Sequence, residues 1–227
     1  MITRPELTAR KDLPMLKIHL LIKRLMDVAL SLVALIILIP FFFLVALAIK
    51  TDSLGSVIFH QIRIGKNGKP FVCYKFRSMF ENADQSVYTQ FLKEVMHNND
   101  EQKGLNHSFR VKNGKADSRV TRLGRIIRST SIDELPQLIN VLTGDMSLVG
   151  PRPDMPLSVD GYSEFERKRL LVKPGMTGLW QVSGRARLTV RQMFELDNRY
   201  VDNFSIWLDI KILLNTLPAV IRRDGAA

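Results

Sequence analysis

The longest hydrophobic segment of the chain covers residues 28–49, which include no charged residue and carry Pro40 near the middle. At about 1.5 Å of helical rise per residue, this run could cross a hydrocarbon core of roughly 30 Å. Proline removes one backbone hydrogen bond and clashes with the preceding turn, so we expect the helix to be bent or broken there. The pattern predicts a Pro-broken membrane helix over residues 17–50.

Basic residues flank this segment at both ends, and the positive-inside rule keeps such flanks on the cytoplasmic side. A helix that dips into the membrane and returns to the same face satisfies the rule. A single-pass anchor is the alternative, and it would put residues 51–227 outside the cell. We therefore favour a re-entrant helix. The flanking basic residues are Lys17, Lys23 and Arg24 before the run and Lys50, Arg63 and Lys66 after it.

Residues 51–227 are long enough to form one domain with its own core, preceded by an N-terminal arm at residues 1–16. Two runs rich in β-branched and aromatic residues, 57–62 and 70–76, are joined by a link that contains Asn67-Gly68, which predicts a β-hairpin. Residues 80–97 have a helical pattern. The polar residues 98–117, rich in Gly and Asn, are predicted to form a surface loop.

Helical periodicity returns in the second half of the chain. A short helix is predicted over residues 134–142, with Ser131 or Asp133 as its N-cap and Gly144 at its end. Further helices are predicted at 160–172 and 189–201, and a last apolar helix at 204–221 belongs either to the core or to the membrane surface. The fold class is thus a small mixed α/β domain with peripheral amphipathic helices. The apolar positions of the 134–142 helix are Leu135, Leu138, Ile139 and Leu142.

Composition narrows the choice of partners and chemistry. The formal net charge of +11 suits anionic lipid, nucleotide phosphates or nucleic acid. The single Cys73 excludes an intrachain disulfide and fits a reducing compartment, with a small apolar side chain in a strand as its expected role. The four histidines lack the spacing of a zinc site.

The densest cluster of chemically useful residues surrounds Asp133 and Glu134. Adjacent acids at the start of a helix are common, because the helix dipole stabilises negative charge there. Here, however, arginines accompany them, and two prolines stiffen the loop that carries Arg152; arginine is suited to bidentate phosphate contacts. Carboxylates and arginines at the start of a helix are suited to binding a phosphate ester together with a metal ion. An ionised aspartate can also attack phosphorus. The arginines are Arg119, Arg122, Arg125, Arg128 and Arg152.

Six motifs in a fixed order across residues 17–222 resemble the bacterial sugar transferases, the monotopic phosphoglycosyl transferases that start lipid-linked glycan assembly. They are Lys23-Arg24-Leu25-Met26-Asp27 before the Pro40 helix, Phe59-His60-Gln61-Ile62-Arg63-Ile64-Gly65, Tyr74-Lys75-Phe76-Arg77-Ser78-Met79, Thr130-Ser131-Ile132-Asp133-Glu134-Leu135-Pro136-Gln137, Gly144-Asp145-Met146-Ser147-Leu148-Val149-Gly150-Pro151-Arg152-Pro153 and Lys173-Pro174-Gly175-Met176-Thr177-Gly178-Leu179-Trp180-Gln181.

The resemblance implies an enzyme on the cytoplasmic face of the bacterial inner membrane. It would move a sugar 1-phosphate from a UDP-sugar to undecaprenyl phosphate and release UMP. By this resemblance Asp133 is the nucleophile, and Glu134 holds Mg²⁺. The positions matching substrate contacts are Lys75, Arg77, Arg128 and Arg152, to which we add Gln181 and Arg185 as residues that could touch the sugar; the membrane-entry residues are Lys23, Arg24, Asp27 and Pro40.

Two other functions remain as alternatives. A membrane glycosyltransferase that releases UDP needs no covalent nucleophile. A membrane-tethered module that binds anionic ligands would explain the charge of +11 but makes no use of the Asp133-Glu134 pair. The chain lacks the aromatic residues of a nucleic-acid platform, so nucleic acid is not an expected partner. Galactose, glucose and an N-acetylated sugar all remain open as the transferred group.

Overall fold

The computed structural model of the chain describes residues 13–81, 83 and 117–221. The first residues of the predicted N-terminal arm, nearly all of the predicted 80–97 helix and the predicted loop at 98–117, apart from Asp117, lie outside these ranges. The described residues form a mixed α/β structure, as predicted. Its elements are α1 (Leu13–Asp52), β1 (Ile58–Ile64), β2 (Pro70–Phe76), α2 (Arg122–Ser129), α3 (Gln137–Thr143), β3 (Ser147–Val149), α4 (Pro156–Asp160), α5 (Glu164–Arg167), β4 (Gly175–Thr177), α6 (Leu179–Ser183), α7 (Val190–Asp202) and α8 (Ile206–Ile221), with short 3-10 helices between some of them.

The predicted hairpin is confirmed. Strands β1 and β2 pair in antiparallel register from Ile58 opposite Phe76 to Ile64 opposite Pro70. The turn needs backbone with positive φ, and Asn67 (φ 58°) and Gly68 (φ 74°) supply it. The hairpin carries Lys75 in β2 toward the acids that follow α2.

A second, parallel pair of strands was not predicted. β3 and β4 pair Ser147 with Gly175 and Val149 with Thr177. Each strand has only three residues, too few for a period-two pattern to stand out. The pair forms because two glycines let the backbones approach closely: a Cβ at Gly175 would lie 2.1 Å from the Gly150 nitrogen.

Two helical predictions were wrong in detail. The 134–142 helix begins only at Gln137, because a separate 3-10 helix occupies Ile132–Glu134; Pro136 is its N-cap, and Gly144 ends it as predicted. Its buried face includes Asn140 and not Ile139, since the Asn140 amide is hydrogen-bonded to β2. The predicted 160–172 helix is divided into α4, α5 and a 3-10 helix, with a break at Gly161. The 189–201 and 204–221 helices are confirmed as α7 and α8.

Helix α1 is longer than predicted and packs against the domain along most of its length. Its backbone stays helical on both sides of Pro40, so the proline does not interrupt the helix. It is the one helix in the described part of the chain that is long and apolar enough to cross a membrane. One face of α1 is buried against the domain, and its other faces expose large apolar side chains. The buried stripe consists of Lys23, Asp27, Ser31, Val45 and Ile49.

This stripe joins two hydrophobic clusters. Middle residues of α1, including Leu35 and Leu38, pack on a cluster built from β2, α3, β3, α7 and α8. Later residues, Val45 and Ile49, pack with Phe76 of β2 and Ile127 of α2. The helix and the domain therefore form one packed unit, and Cys73 fills a buried place in the first cluster as predicted.

Candidate active site

The two acids lie on a tight turn between α2 and α3. Ser131 has a left-handed backbone (φ 59°), which reverses the chain after α2, and Asp133 and Glu134 then fall in the 3-10 helix that precedes α3. Neither Ser131 nor Asp133 caps α3 with its side chain, so the N-cap prediction was wrong. The turn instead presents the two carboxylates toward β2 and the loop after β3.

Glu134 is the centre of a compact group of charges. Its carboxylate accepts a hydrogen bond from Lys75 Nζ at 2.9 Å and a forked pair of hydrogen bonds from Arg152, one of them 2.9 Å from Nη1 to Oε2. Burial acts to raise the pKa of Glu134, but Arg152 and Lys75 outweigh it and hold that pKa well below its usual range. The charge of Glu134 in turn raises the pKa of Arg152. Glu134 is therefore a fixed anion that orients two cations.

Asp133 is different from its neighbour. Among the described residues its half-buried carboxylate has no hydrogen bond and no ion pair. Burial raises the pKa of Asp133 to about 6, and Glu134 acts in the same direction, whereas Lys75, Arg152 and Arg128 lower it. At neutral pH the group is thus largely ionised, close to cations and without a donor that would reduce its nucleophilicity.

The loop that carries Arg152 is held from behind by Arg169. The Arg169 guanidinium donates to the Arg152 carbonyl oxygen at 2.7 Å and to the Tyr162 hydroxyl at 3.0 Å, and it is ion-paired with Asp154 and, at 2.7 Å, with Asp197. Burial raises the pKa of Asp197 to about 7, although Arg169 opposes the shift. This buried group connects the Arg152 loop to α7 and so fixes the cation that faces Glu134.

The structure brings together five of the predicted site residues. Lys75, Arg152 and the two acids are in contact or adjacent, and Arg128 acts on Asp133 electrostatically. The remaining three predicted substrate residues lie in other surroundings and are Arg77, Gln181 and Arg185.

Arg77 is buried at the end of α1. Its Nη2 donates to the Ser53 carbonyl oxygen at 2.6 Å and to the Ser53 hydroxyl at 2.9 Å, which satisfies groups at the C-terminus of that helix. This contact anchors α1 to β2. A role of Arg77 at the substrate phosphates stays a prediction.

Gln181 and Arg185 lie together on α6 and the turn after it. Arg185 Nε donates to the Gln181 carbonyl oxygen at 3.2 Å, and Gln181 Nε2 donates to the Met176 carbonyl oxygen at 3.3 Å. The buried Gln181 Oε1 has no hydrogen-bond partner in the described structure, so it is available as an acceptor. Their contact with a sugar stays a prediction.

The membrane-entry residues Lys23 and Asp27 are buried against the domain. Lys23 Nζ forms a 2.7 Å ion pair with Asp209 of α8 and donates to the Val149 carbonyl oxygen at 3.0 Å. Asp27 accepts a hydrogen bond from the Leu148 nitrogen at 3.0 Å. The two side chains thus attach the start of α1 to β3 and α8.

Arg24 has a separate contact at the C-terminal end of α3. Its guanidinium donates to the carbonyl oxygens of Val141 at 2.5 Å and Leu142 at 2.7 Å. The Val141 carbonyl oxygen also accepts from the nitrogen of Gly144, the C-cap of α3, at 3.2 Å, and a cation at this end complements the helix dipole.

The described residues include no group of three or more His, Cys, Asp or Glu side chains that could hold a metal ion by themselves. Glu134 has three hydrogen bonds to cations, which leaves about one acceptor position of a carboxylate's four. Mg²⁺ usually keeps water and substrate oxygens and takes only one or two protein carboxylates. Asp133, which has no partner among the described residues, and the remaining position of Glu134 fit that limited requirement.

Sequence reasoning missed the residues that support the site. Arg169 stands in the sequence Glu-Arg-Lys-Arg, where nothing separates it from surface charges. Asp209 had a usable signal, because it is the one acid within the apolar segment 204–221. Asn140 had none, since its hydrogen bonds to β2 depend on the hairpin position.

The sequence profile of the family described as bacterial sugar transferase matches residues 18–223. The chain is 44% identical over 206 residues to the undecaprenyl-phosphate galactose phosphotransferase of Salmonella typhimurium, covering 90% of this chain and 41% of that protein. It is 39% identical over 214 residues to the UDP-glucose:undecaprenyl-phosphate glucose-1-phosphate transferase of Klebsiella pneumoniae, covering 91% and 41%. It is also 39% identical over 204 residues to the exopolysaccharide production protein ExoY of Sinorhizobium fredii, covering 90% and 87%.

The profile match over residues 18–223 gives the family: the chain belongs to the bacterial sugar transferases. The resemblance stated from the six motifs is thereby confirmed. The chain spans about two fifths of the length of the first relatives it matches, and nearly the whole of the ExoY protein.

Proposed function

We propose that this protein transfers a sugar 1-phosphate from a UDP-sugar to undecaprenyl phosphate, releases UMP and forms an aspartyl-phosphosugar intermediate at Asp133. The carrying observation is the Asp133 carboxylate, which has no hydrogen-bond partner in the described structure and lies next to the Lys75–Glu134–Arg152 cluster. The names of the Salmonella and Klebsiella relatives support the lipid acceptor, and the name of the Klebsiella relative also supports a UDP-sugar donor.

In the first step Asp133 Oδ attacks the phosphorus that bears the sugar. A bond forms between that phosphorus and the Asp133 oxygen, and the bond to the oxygen bridging the two phosphates breaks, so UMP leaves with the electron pair. Lys75 and Arg152 offset the negative charge of the phosphates, and Glu134 keeps both cations oriented. Because these groups are already ordered, they need little rearrangement when the donor binds.

In the second step a phosphate oxygen of undecaprenyl phosphate attacks the same phosphorus. The new bond gives the lipid diphosphate sugar, and the acyl phosphate bond breaks to return Asp133 as a carboxylate. The two steps together consume one UDP-sugar and one lipid phosphate and produce UMP and the lipid-linked sugar. This reaction would be the first step of lipid-linked glycan assembly, in keeping with the name of the ExoY relative.

Mg²⁺ is part of this proposal, with Glu134 as its protein ligand and substrate phosphate oxygens and water completing the shell. When bound, the ion would neutralise charge on the diphosphate and favour departure of UMP. The chain's own cations, Lys75 and Arg152, stay in contact with Glu134 in this arrangement.

Single-turnover measurement tests the proposed intermediate. Enzyme mixed with UDP-sugar and Mg²⁺ in detergent, without lipid acceptor, should release about one equivalent of UMP per active site and gain the mass of one phosphosugar. Asp133→Asn should do neither, and its steady-state rate should fall at least about a thousandfold. UMP release that requires polyprenyl phosphate, with no adduct at any time, would favour direct transfer and leave Asp133 without a covalent role. UDP as the product would identify a glycosyltransferase instead.

We also propose that α1 is re-entrant and that the domain lies on the cytoplasmic face of the inner membrane. The same domain contacts α1 on both sides of its uncharged run: Lys23 is paired with Asp209, and Asp52 accepts a hydrogen bond from the Leu123 nitrogen at 3.2 Å. A straight helix from Lys23 to Asp52 would be about 43 Å long, which is longer than a hydrocarbon core of roughly 30 Å is thick. A spanning helix would therefore put one of these contacts on the far side of the bilayer.

Cysteine labelling in membrane vesicles tests this topology. Arg10→Cys and Lys66→Cys, made singly, should both react from the cytoplasmic side with a reagent that does not cross membranes. The unmodified chain is the control, because its one thiol, Cys73, is buried and burial raises its pKa. Labelling from opposite sides would identify a spanning helix.

A further inference from the structure

Two cations converge at the C-terminal end of α3, away from the acid pair. Arg24 is fixed there by the Val141 and Leu142 carbonyl oxygens. A Cβ atom placed on Gly144 would lie 3.4 Å from Lys173 Nζ and 3.5 Å from Arg24 Nη2, so the two nitrogens are within about 7 Å of each other. Because Gly144 has no side chain, the space between the two cations stays open.

No acid in the described structure is paired with Lys173. Its half-buried ammonium forms no hydrogen bond or ion pair with any described residue. Asp27 and Asp145 act on it electrostatically, but Asp27 accepts from the Leu148 nitrogen at 3.0 Å and Asp145 from the Thr143 hydroxyl at 2.8 Å. Burial, and then the charge of Arg24, lower the pKa of Lys173. Two like charges held this close would be stabilised by an anion between them.

The place of this cluster in the fold argues against the donor nucleotide as its ligand. Asp133 precedes α3, whereas Gly144 ends it, so at helical rise the two are about 15 Å apart. A phosphate held by Arg24 and Lys173 could not reach Asp133. Arg24, however, stands only four residues before Val28, the first residue of the uncharged run of α1. If α1 enters the membrane there, the cluster lies at the depth of lipid phosphates.

We propose that Arg24 and Lys173 form a binding site for the phosphate group of a membrane lipid. The guanidinium provides a fixed planar donor and the ammonium a movable one, and Lys66 adds positive charge from the hairpin link. The lipid is either an anionic phospholipid or a polyprenyl phosphate held apart from Asp133. The proposal rests on the membrane placement in the proposed function but not on the covalent chemistry.

Lipid binding to the full chain in detergent tests the site. Native mass spectrometry would measure adducts with dioleoyl phosphatidylglycerol, with undecaprenyl phosphate and with inorganic phosphate, without UDP-sugar or Mg²⁺. Lys173→Gln should weaken binding of at least one of the two lipids about tenfold, as expected for loss of one charge-assisted hydrogen bond. The lipid that responds identifies the source of the phosphate. Lys173→Arg keeps the charge and should restore most of the binding.

Lys50→Gln is the matched control. Lys50 is the cation at the other end of the uncharged run, its Nζ already donates to the Gly55 carbonyl oxygen at 2.8 Å, and its loss should change lipid binding less than twofold. Equal weakening in both glutamine variants, or in neither, would overturn the proposal. So would Lys173-dependent binding of inorganic phosphate with no effect on either lipid. Because UMP release without acceptor is measured separately, failure here is distinguishable from failure of the transferase proposal.

Discussion

At the scale of single residues, the two adjacent acids have opposite electrostatic environments. Glu134 is paired with two cations that hold its pKa well below the usual range, while Asp133 has no partner among the described residues and burial raises its pKa to about 6. One acid can therefore orient the site, and the other can react. The surroundings of the two side chains thus support Asp133 as the proposed nucleophile, in addition to their order in the motif.

The pKa of Asp133 gives a direct prediction. In Mg²⁺-free detergent solution, the carboxyl carbon of Asp133 observed by ¹³C NMR should titrate near pH 6, well above the ordinary value for aspartate. Glu134→Gln should lower this midpoint, because it removes a negative neighbour and frees Lys75 and Arg152 to act on Asp133. Asp133→Asn identifies the resonance. A midpoint near 4 in the wild type would contradict the buried, partner-free environment. Adding Mg²⁺ should lower the midpoint if the ion binds beside this pair.

Arg169 is predicted to be a positioning residue. Arg169→Lys keeps the charge but cannot donate at once to the Arg152 carbonyl oxygen, Tyr162 and both acids, so the Arg152 loop should shift. We expect kcat/KM for the UDP-sugar to fall about ten- to a hundredfold, with the thermal unfolding midpoint changed far less. Arg167→Lys is the control, because Arg167 donates to the Tyr162 and Val159 carbonyl oxygens and, among the described residues, to no group of the site. Equal losses in both variants would indicate a merely structural role.

At the scale of elements, α3 is positioned by one buried amide. Asn140 Oδ1 accepts from the Tyr74 nitrogen at 3.0 Å, and its Nδ2 donates to the Val72 carbonyl oxygen at 2.7 Å. These bonds fix the helix that follows the acids against the strand that carries Lys75. The relative position of Asp133, Glu134 and Lys75 therefore depends on a residue outside every charged cluster.

Asn140→Leu should destabilise the protein. Leucine has the same branched outline but is larger, and it leaves the partly buried Tyr74 N–H and the Val72 carbonyl group of β2 without their side-chain partner, at a cost of about 1–3 kcal/mol in the free energy of unfolding. Chemical unfolding in detergent, followed by circular dichroism, measures the loss. Ile139→Ala changes an exposed residue of the same helix and should cost less than about 0.5 kcal/mol. Similar losses in the two variants would contradict the proposed role of Asn140.

The sequence predicted elements with strong local signals and missed those that depend on distant contacts. The hairpin follows from Asn67-Gly68, and α7 from its periodicity, because both signals act within a few residues. The start of α3 and the β3–β4 pair could not be predicted in this way. They depend on the left-handed backbone of Ser131 and on the close approach of Gly150 and Gly175, and neither has a local sequence pattern. The acid pair was found through its motif, whereas Arg169, which supports it, looks like any surface arginine.

At the scale of the whole molecule, α8 has a buried face and an exposed face, which bear on the two locations that the sequence left as alternatives. Asp209 and Ile212 are buried, and Asp209 is paired with Lys23 at the start of α1. The opposite face exposes Trp207, Leu214 and Leu217, each at least two thirds accessible. Because the buried face is attached at the membrane entry of α1, the exposed face is well placed to contact lipid. Helix α8 therefore belongs to the core, and we predict that its exposed face lies on the membrane surface.

The two tryptophans of the chain allow this orientation to be measured. Trp180 is buried in α6, and Trp207 is exposed on α8, so each can be studied alone in a Trp180→Phe or a Trp207→Phe variant. After reconstitution into bilayers, brominated phospholipids should quench the fluorescence of Trp207 strongly and that of Trp180 weakly, since quenching requires near contact with the acyl chains. Bromine on the part of the acyl chain near the headgroup should quench Trp207 more than bromine near the terminal methyl group, because tryptophan prefers the membrane interface. Equally weak quenching of Trp180 and Trp207 would show that the exposed face of α8 does not contact the acyl chains, and would contradict this prediction.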